Sequence, residues 1–540
     1  MSPFGVIGAI VAYNSAGQAV AIFDDLAGLG LRADQFIANP TLLVSGDDDF
    51  LGSAQVDTLY AGAGLDILDG DGGDDILFGE AGDDLLLGAN GNDALSGGDG
   101  DDIIVGEAGA DALDGGAGFD TASYATAAAG VTVNLGALAQ NTGEAAGDSF
   151  TSIEAVEGST LGDSLLGDGG GNVLRGLGGA DFIAGGGGND LIEAGDGGDV
   201  AYGGDLDDVV RGGAGNDGLF GEQGYDQLFG EDGDDYIEGG LGPDELRGGD
   251  GFDQLLGGDD RDFLDGGAVG DIVNGGAGDD VIVSGSGNDW AIGGDGADVV
   301  DGDAGDDYMQ GGAGGDLMRG GDAYDQILGE AGDDVLQGGA GPDELYGAAG
   351  FDQLFGGEAR DLLDGGGDGD VLNGEGGDDV LRGQDGSDGA FGGDGNDEAF
   401  GGSGDDFIDG GAGIDGLFGE AGADRLFGQA GDDYLDAGGD NDVLTGGQGA
   451  DRLLGGAGND VFLFNLADLQ PGVTDQILDF ETAPGSDDAI GLIGINPNAV
   501  TFADVAGGAT ITIDLEGTPD ATLFIAGQSA AALQDDIFYG

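Results

Sequence analysis

The chain has 540 residues, with 110 Asp and Glu against 10 basic residues, all of them Arg, and a formal net charge of −100. Cys and His are both absent, whereas Gly supplies 131 residues. These counts exclude a zinc site of the usual kind, a disulfide and a histidine-activated nucleophile. The charge argues against nucleic acid and anionic membranes, and no apolar run reaches the roughly 18–20 residues of a membrane span.

High net charge usually signals disorder, yet 39% of the residues are hydrophobic and they are regularly spaced. The two tendencies are reconciled if something cationic binds. Residues 1–45 read as an N-terminal cap. The stretch MSPFGVIGAIVAYNSAG has no basic residue before its apolar part, the first being Arg32, so it does not read as an ordinary signal peptide. AYNSAGQAVAIF reads as a hairpin and DDLAGLGLRADQF as a short helix, together covering an edge that would otherwise invite aggregation.

Residues 46–120 form a first repeat block. An Asp recurs every nine residues, at Asp57, Asp66, Asp75, Asp84, Asp93, Asp102, Asp111 and Asp120, with Asp48 in the same frame. Residues 121–160 interrupt it. There AAGVTVNL and SFTSIEAVEGS read as strands, and the periodic structure is expected to continue past them with a bulge or kink. The frame resumes at Asp163 and holds to Asp460, Asn172 being the only substitution, which gives a second block over 161–464. The unit is GGxGxDxUx, seen best as GGAGND at 212–217 and 455–460, and U, two residues after the Asp, is always apolar.

Each position has a physical role. Gly permits positive φ, so six residues can turn sharply. The triplet xUx is a very short strand with U on one face and its neighbours on the other. One unit is then a strand and a turn, and two units bring the chain back over itself. Stacked strands sit about 4.8 Å apart, with U residues of two sheets meeting in a thin core that no single unit could form. The turns pile Asp on Asp, and carboxylates so placed repel unless a cation lies between them. The donors are all oxygen, from Asp and backbone carbonyls. About 6–8 oxygens at 2.3–2.6 Å from flexible turns favour Ca²⁺ over Mg²⁺. A solvated Gly-Asp linker would not keep an apolar residue in strict nine-residue phase, and a metal-free solenoid would present flat Thr-rich faces.

At these residues the sequence resembles the RTX (repeat-in-toxin) family of hemolysin-type calcium-binding nonapeptide proteins. The resemblance implies an all-β parallel β-roll, an RTX β-helix solenoid, with small capping segments at both ends, Ca²⁺ held between successive turns on each edge, and export by a type I secretion system. The expected metal ligands in the first block are the eight Asp residues from Asp57 to Asp120 named above. In the second they are Asp181, Asp190, Asp199, Asp217, Asp226, Asp235, Asp244, Asp253, Asp280, Asp289, Asp298, Asp307, Asp316, Asp334, Asp343 and Asp352, then Asp379, Asp388, Asp397, Asp406, Asp415, Asp424, Asp433, Asp451 and Asp460. Turns whose fourth position is Leu161, Leu206, Asp260, Val269, Ala323, Ala359, Asp368 or Asp440 in place of Gly are expected to form poorer sites. One ion per stacked pair of turns gives ~30–35 sites.

A longer period is also visible: the run from Tyr225 recurs from Tyr324, as growth by duplication would produce. Arg175, Arg211, Arg247 and Arg319 occupy the third position after the in-frame residue and fall on one sheet face, and Phe400 and Phe418, 18 apart, stack on the other. These rows read either as lateral contact surfaces or as charge relief and ordinary exposed aromatics. Residues 465–540 read as a C-terminal cap and type I secretion signal. In them ATITIDLEGTPDATLFIAG reads as a hairpin, and DQILDF and the final LQDDIFYG resemble the tails of RTX proteins.

Function classes follow. A calcium-loaded extracellular protein of a surface layer, matrix or adhesive fits best, with calcium, the secretion machinery, copies of itself and cell-surface polysaccharide as partners, and neither nucleic acid nor a membrane span. A non-catalytic remnant or partner of a secreted RTX enzyme or toxin is the alternative. Catalysis is not expected, because no segment of catalytic size lies beside the repeats, and a pore-former of the toxin type would need apolar helices and Lys.

Overall fold

A strand of alternating burial followed by a glycine-rich corner, repeated in constant phase on either side of one interruption, gives the architecture directly. The computed structural model describes residues 10–13, 19–23, 47, 49–137, 140–483, 486–515 and 519–540. It divides into two units, Met1–Phe263 and Leu264–Gly540. Each contains parallel β-solenoid, and the described residues contain no α-helix.

In the first unit the strands Leu191–Asp196, Val209–Ala214 and Gln227–Asp232 stack in one sheet, while Val200–Asp205, Gly218–Gln223 and Tyr236–Leu241 stack in the other. The pairing is parallel and in register with the residue one full coil away, Ile192 with Val210 and Ala201 with Leu219. The second unit repeats this scheme, with Leu336 beside Leu354 and Leu345 beside Leu363. Strands are mostly longer than the xUx triplet. Most run six residues, through the Gly pair, and the burial pattern of Val209–Ala214 shows why: the side chain at U and the first Gly both face inward. U residues form the core. Leu165, Ile237, Leu336 and Leu444 are all fully buried. Burying such a side chain contributes about 1.5–3 kcal/mol, summed along a core only one side chain deep.

The interruption keeps one sheet and breaks the other. Thr121–Ser123 pairs with Ala155–Glu157, which pairs in turn with Val173–Arg175, so this sheet passes straight through. On the other side Ala112–Ala117 pairs with Ser149–Thr151 and that sheet ends, while a new one begins with Thr132–Asn134 against Ser164–Leu166. The expected strands are present, the second of them divided in two, and the change is a seam rather than a bulge.

At the N-terminal end Ile10–Tyr13 and Ala19–Phe23 form the expected antiparallel hairpin. The helix expected in DDLAGLGLRADQF, and Asp48, lie outside the described residues. In the second unit Gly508–Ile513 and Ala521–Ala526 form the other expected hairpin, joined by Val500–Val505 into an antiparallel meander. Ile537–Tyr539 pairs in parallel with Ala489–Ile493.

The surface rows make contacts within the chain. Arg175 pairs with Glu193 at 2.7 Å, Arg247 with Glu245 at 2.8 Å and Arg319 with Asp301 at 3.9 Å, and Arg211 lies over the Phe229 ring at 4.6 Å. Phe400 and Phe418 stack at 4.9 Å with an interplanar angle of 10°. Phe418 also meets the Tyr434 ring at 5.8 Å.

Candidate metal centre

The three-residue corner between successive strands, residues 215–217 for example, carries the in-frame Asp to its inner side. All the Asp residues expected as ligands are buried, none more than 4% exposed. One carboxylate oxygen is committed to the backbone. Oδ1 accepts the N–H of the in-frame residue one coil earlier on the same edge. Asp57 N–H donates to Asp75 Oδ1 at 2.6 Å, Asp208 to Asp226 at 2.8 Å, and Asp334 to Asp352 at 2.9 Å. The result is a ladder of charge-assisted hydrogen bonds along each edge of both units.

The second oxygen has no such partner. Oδ2 of Asp75, Asp84, Asp217, Asp226, Asp334, Asp433 and their equivalents is buried without a hydrogen bond. It faces the first Gly of its own turn. A Cβ added to Gly221 would lie 2.5 Å from Asp226 Oδ2 and 2.6 Å from the carbonyl oxygen of Gly239, the equivalent residue of the next coil. Gly302 is caught in the same way between Asp307 Oδ2 and the Gly320 carbonyl, both at 2.6 Å. A carboxylate and a carbonyl, both acceptors, thus converge on a space that the glycine keeps open.

Two acceptors facing each other have no donor between them, and the charges register it. Burial, opposed by the backbone hydrogen bond but reinforced by neighbouring Asp residues, raises the carboxyl of Asp217 to about 7 and that of Asp433 to about 8. Such a site is repaired by a hard cation. Among the described residues no three acidic side chains gather into a side-chain cage. The donor set is instead a carboxylate and backbone carbonyls, which fits calcium and excludes thiophilic metals.

Filling the space gives a direct test. Gly221→Ala is expected to lower the number of calcium ions carried by the folded protein, read by native mass spectrometry, because its methyl group takes the place where Asp226 Oδ2 and the Gly239 carbonyl converge. An unchanged count removes that space from consideration as a metal centre.

Apart from Leu161, whose φ is not positive, the turns with a substituted fourth position do not depart from this geometry. At Leu206, Asp260, Val269, Ala323, Ala359, Asp368 and Asp440 the backbone takes φ of 75° to 91°, whereas Gly215 and Gly332 sit at 138° and 153°. The left-handed well accepts a side chain at a modest cost, so the corner survives. Asp208, Asp325, Asp361, Asp370 and Asp442 are buried like the rest and take the same Oδ1 hydrogen bonds, at 2.7 to 3.0 Å. These seven turns therefore place their carboxylates as the glycine turns do.

Asp57 differs in another way. The amide and hydroxyl of Ser53 both donate to its Oδ2, and Oδ1 is the oxygen left over. A second ladder is not evident from the repeat frame alone. The residue before the in-frame Asp, often Asp or Asn, accepts the N–H of its equivalent one coil later: Asp83 from Asp101 at 2.9 Å, Asp101 from Phe119 at 2.8 Å, Asp378 from Asn396 at 2.8 Å. It runs opposite to the inner ladder and is solvent-exposed. Its signal in the sequence is the GDD and GND doublets of the best units.

Comparison with known proteins agrees with this construction. The family described as RTX calcium-binding nonapeptide repeat (4 copies) matches residues 51–122 and 157–462 in adjoining and overlapping copies. Among solved structures, the chain is similar to the AlgE6R3 subunit of the Azotobacter vinelandii mannuronan C5-epimerase, with 27% identity over 25% of this chain and 78% of that one and a TM-score of 0.12. It is also similar to a hyperactive, Ca²⁺-dependent, β-helical antifreeze protein from an Antarctic bacterium, with 15% identity over 63% of this chain and 86% of that one and a TM-score of 0.16. No curated protein matches. With the nonapeptide matched over well more than half of its length, the chain belongs to the RTX calcium-binding repeat family.

Proposed function

We propose that this is a secreted structural protein whose solenoid is assembled by calcium outside the cell and serves there as a self-associating component of the surface or matrix. One observation carries the reading: along each edge a buried carboxylate oxygen without a hydrogen bond faces a backbone carbonyl of the next coil, as Asp226 faces Gly239. Those two groups and their equivalents, Asp307 with Gly320 among them, would hold the ions. Calcium supplies the positive charge that lets successive acidic corners close.

The rest follows from charge. At −100 the chain resists collapse where calcium is scarce and stays fit for export unfolded, in keeping with a type I route through the acidic-apolar end LQDDIFYG. Where calcium is abundant, binding to the folded form alone drives folding by mass action. The test has two arms. Native mass spectrometry is expected to show several tens of calcium ions on the folded chain, magnesium failing to replace them, and fractionated cells to carry the protein on the surface or in the medium. A folded protein with only a few ions overturns the first half, and a cytoplasmic protein the second. Electron microscopy of the loaded protein tests the structural role: sheets or fibres support it, and isolated particles at high concentration count against self-association.

A further inference from the structure

Along the ordinary corners the second carboxylate oxygen is left for a cation. Through the seam of the first unit it is not. Asp148 stands where the next in-frame Asp would stand, its Oδ1 accepting the Asp111 N–H at 2.8 Å across an offset of 37 residues. Its Oδ2 accepts the hydroxyl of Tyr124 at 2.8 Å. Both residues are buried, Asp148 at 0% and Tyr124 at 2% exposure.

Two further corners of the seam are closed by other means. Asp163 takes the Ser159 amide on Oδ2, and on Oδ1 the Ser159 hydroxyl at 2.9 Å and the Val131 N–H at 2.6 Å. At Asn172 the frame itself changes chemistry. The side-chain oxygen accepts the Asp168 N–H at 2.9 Å, and its NH₂ group donates to the Glu154 carbonyl at 3.4 Å, so a neutral amide supplies the donor a carboxylate lacks. These three corners of the seam leave no buried side-chain oxygen without a hydrogen bond, whereas Asp111 and Asp120 before them and Asp181 and Asp190 after them each keep an Oδ2 that has none.

We infer that the seam is an ion-free joint in which Tyr124, Ser159 and Asn172 take the place of calcium, so that the calcium rows of the first unit are divided into two separate blocks. The inference rests on the calcium reading of the ordinary corners. A hydroxyl proton satisfies the same lone pair that a cation would, and a hydroxyl seated at 2.8 Å leaves no room for one beside Asp148. Burial and the Asp148 carboxylate hold the Tyr124 hydroxyl well above its ordinary range, so it remains a donor at any physiological pH.

Native mass spectrometry of the full calcium-loaded chain separates the two claims. Asp226→Asn is expected to lower the ion count, and Asp148→Asn to leave it at the wild-type value. Tyr124→Phe keeps the ring and removes the donor; the count is expected to rise, and to fall back in the double variant with Asp148→Asn. If Asp148→Asn lowers the count as Asp226→Asn does, the joint is not ion-free. If Tyr124→Phe leaves the count unchanged, its hydroxyl does not stand in for an ion. If Asp226→Asn changes nothing, the calcium reading of the ordinary corners falls instead. Anomalous scattering from wild-type crystals grown in calcium checks this without any variant: peaks are expected beside Asp75 and Asp217 and none beside Asp148 or Asp163, and a peak beside Asp148 overturns the inference.

Discussion

In excess chelator at neutral pH the chain is expected to give the circular dichroism of an unstructured polypeptide, with β signal returning as calcium is added. The magnitudes decide this. Leaving a buried acceptor unsatisfied costs about 1–3 kcal/mol, and more when it is charged. The corners carry dozens of such oxygens, at both edges of each unit. Their summed cost is tens of kcal/mol, against the roughly 5–15 kcal/mol by which a domain is ordinarily stable. No turn is spared, because in a solenoid each coil is held only by its neighbours. Even the ion-free seam depends on them, since Thr121 pairs with Ile103 and Val173 with Leu191. Magnesium is not expected to substitute: it demands near-octahedral geometry and dehydrates reluctantly, whereas a carboxylate with backbone carbonyls forms a looser oxygen cage. A full β spectrum in chelator, unchanged on adding calcium, would show that these corners close by themselves.

What could be read in advance follows from what repeats. The apolar U frame fixed the core from Leu59 to Phe462 because each such residue sits two positions after an in-frame Asp, or after Asn172, and faces inward. The stacking of in-frame Asp residues on the same edge was likewise implied by the nine-residue frame, and their Oδ1 ladder realises it. Strand length was not, because the Gly pair after xUx has no side chain to show alternation and yet continues the strand. The seam was opaque for a different reason. Its pairings join residues at offsets that belong to no period, Thr121 to Ala155 and Thr132 to Ser164, and the Tyr124–Asp148 hydrogen bond links positions that no pattern relates. The C-terminal hairpin was legible from alternation, whereas the parallel pairing of Thr474–Ile477 with Ala521–Ala526 required the folded chain. At the substituted fourth positions the left-handed φ of Leu206 and Val269 shows that the turn needs a region of conformational space rather than one residue type.

Acid is expected to replace calcium in part. Burial raises the corner carboxyls above their ordinary 3.8, to about 6 at Asp84 and Asp226, about 7 at Asp217 and Asp361, and about 8 at Asp433. A carboxyl whose folded-state value is raised binds more protons folded than unfolded between the two values, so the calcium-free fold gains stability as pH falls through about 8 to 4 and loses it as pH rises. The protonated carboxyl is neutral and its O–H is a donor, which a carbonyl such as that of Gly239 can accept. In chelator the β signal absent at pH 8 should therefore appear by about pH 5, above the pI of about 4.1 where precipitation would confuse the reading. With calcium present the sign reverses, because protons compete with the metal for the same oxygens, and the calcium needed for half-saturation should rise as pH falls. High salt at pH 8 serves as the control. It screens exposed carboxylates but puts no proton on a buried one, so it is expected to leave the chelated chain unfolded. A chelated protein equally unfolded at pH 5 and pH 8, or one folded by salt alone, would show that long-range repulsion among exposed charges governs the fold rather than the buried oxygens at its corners.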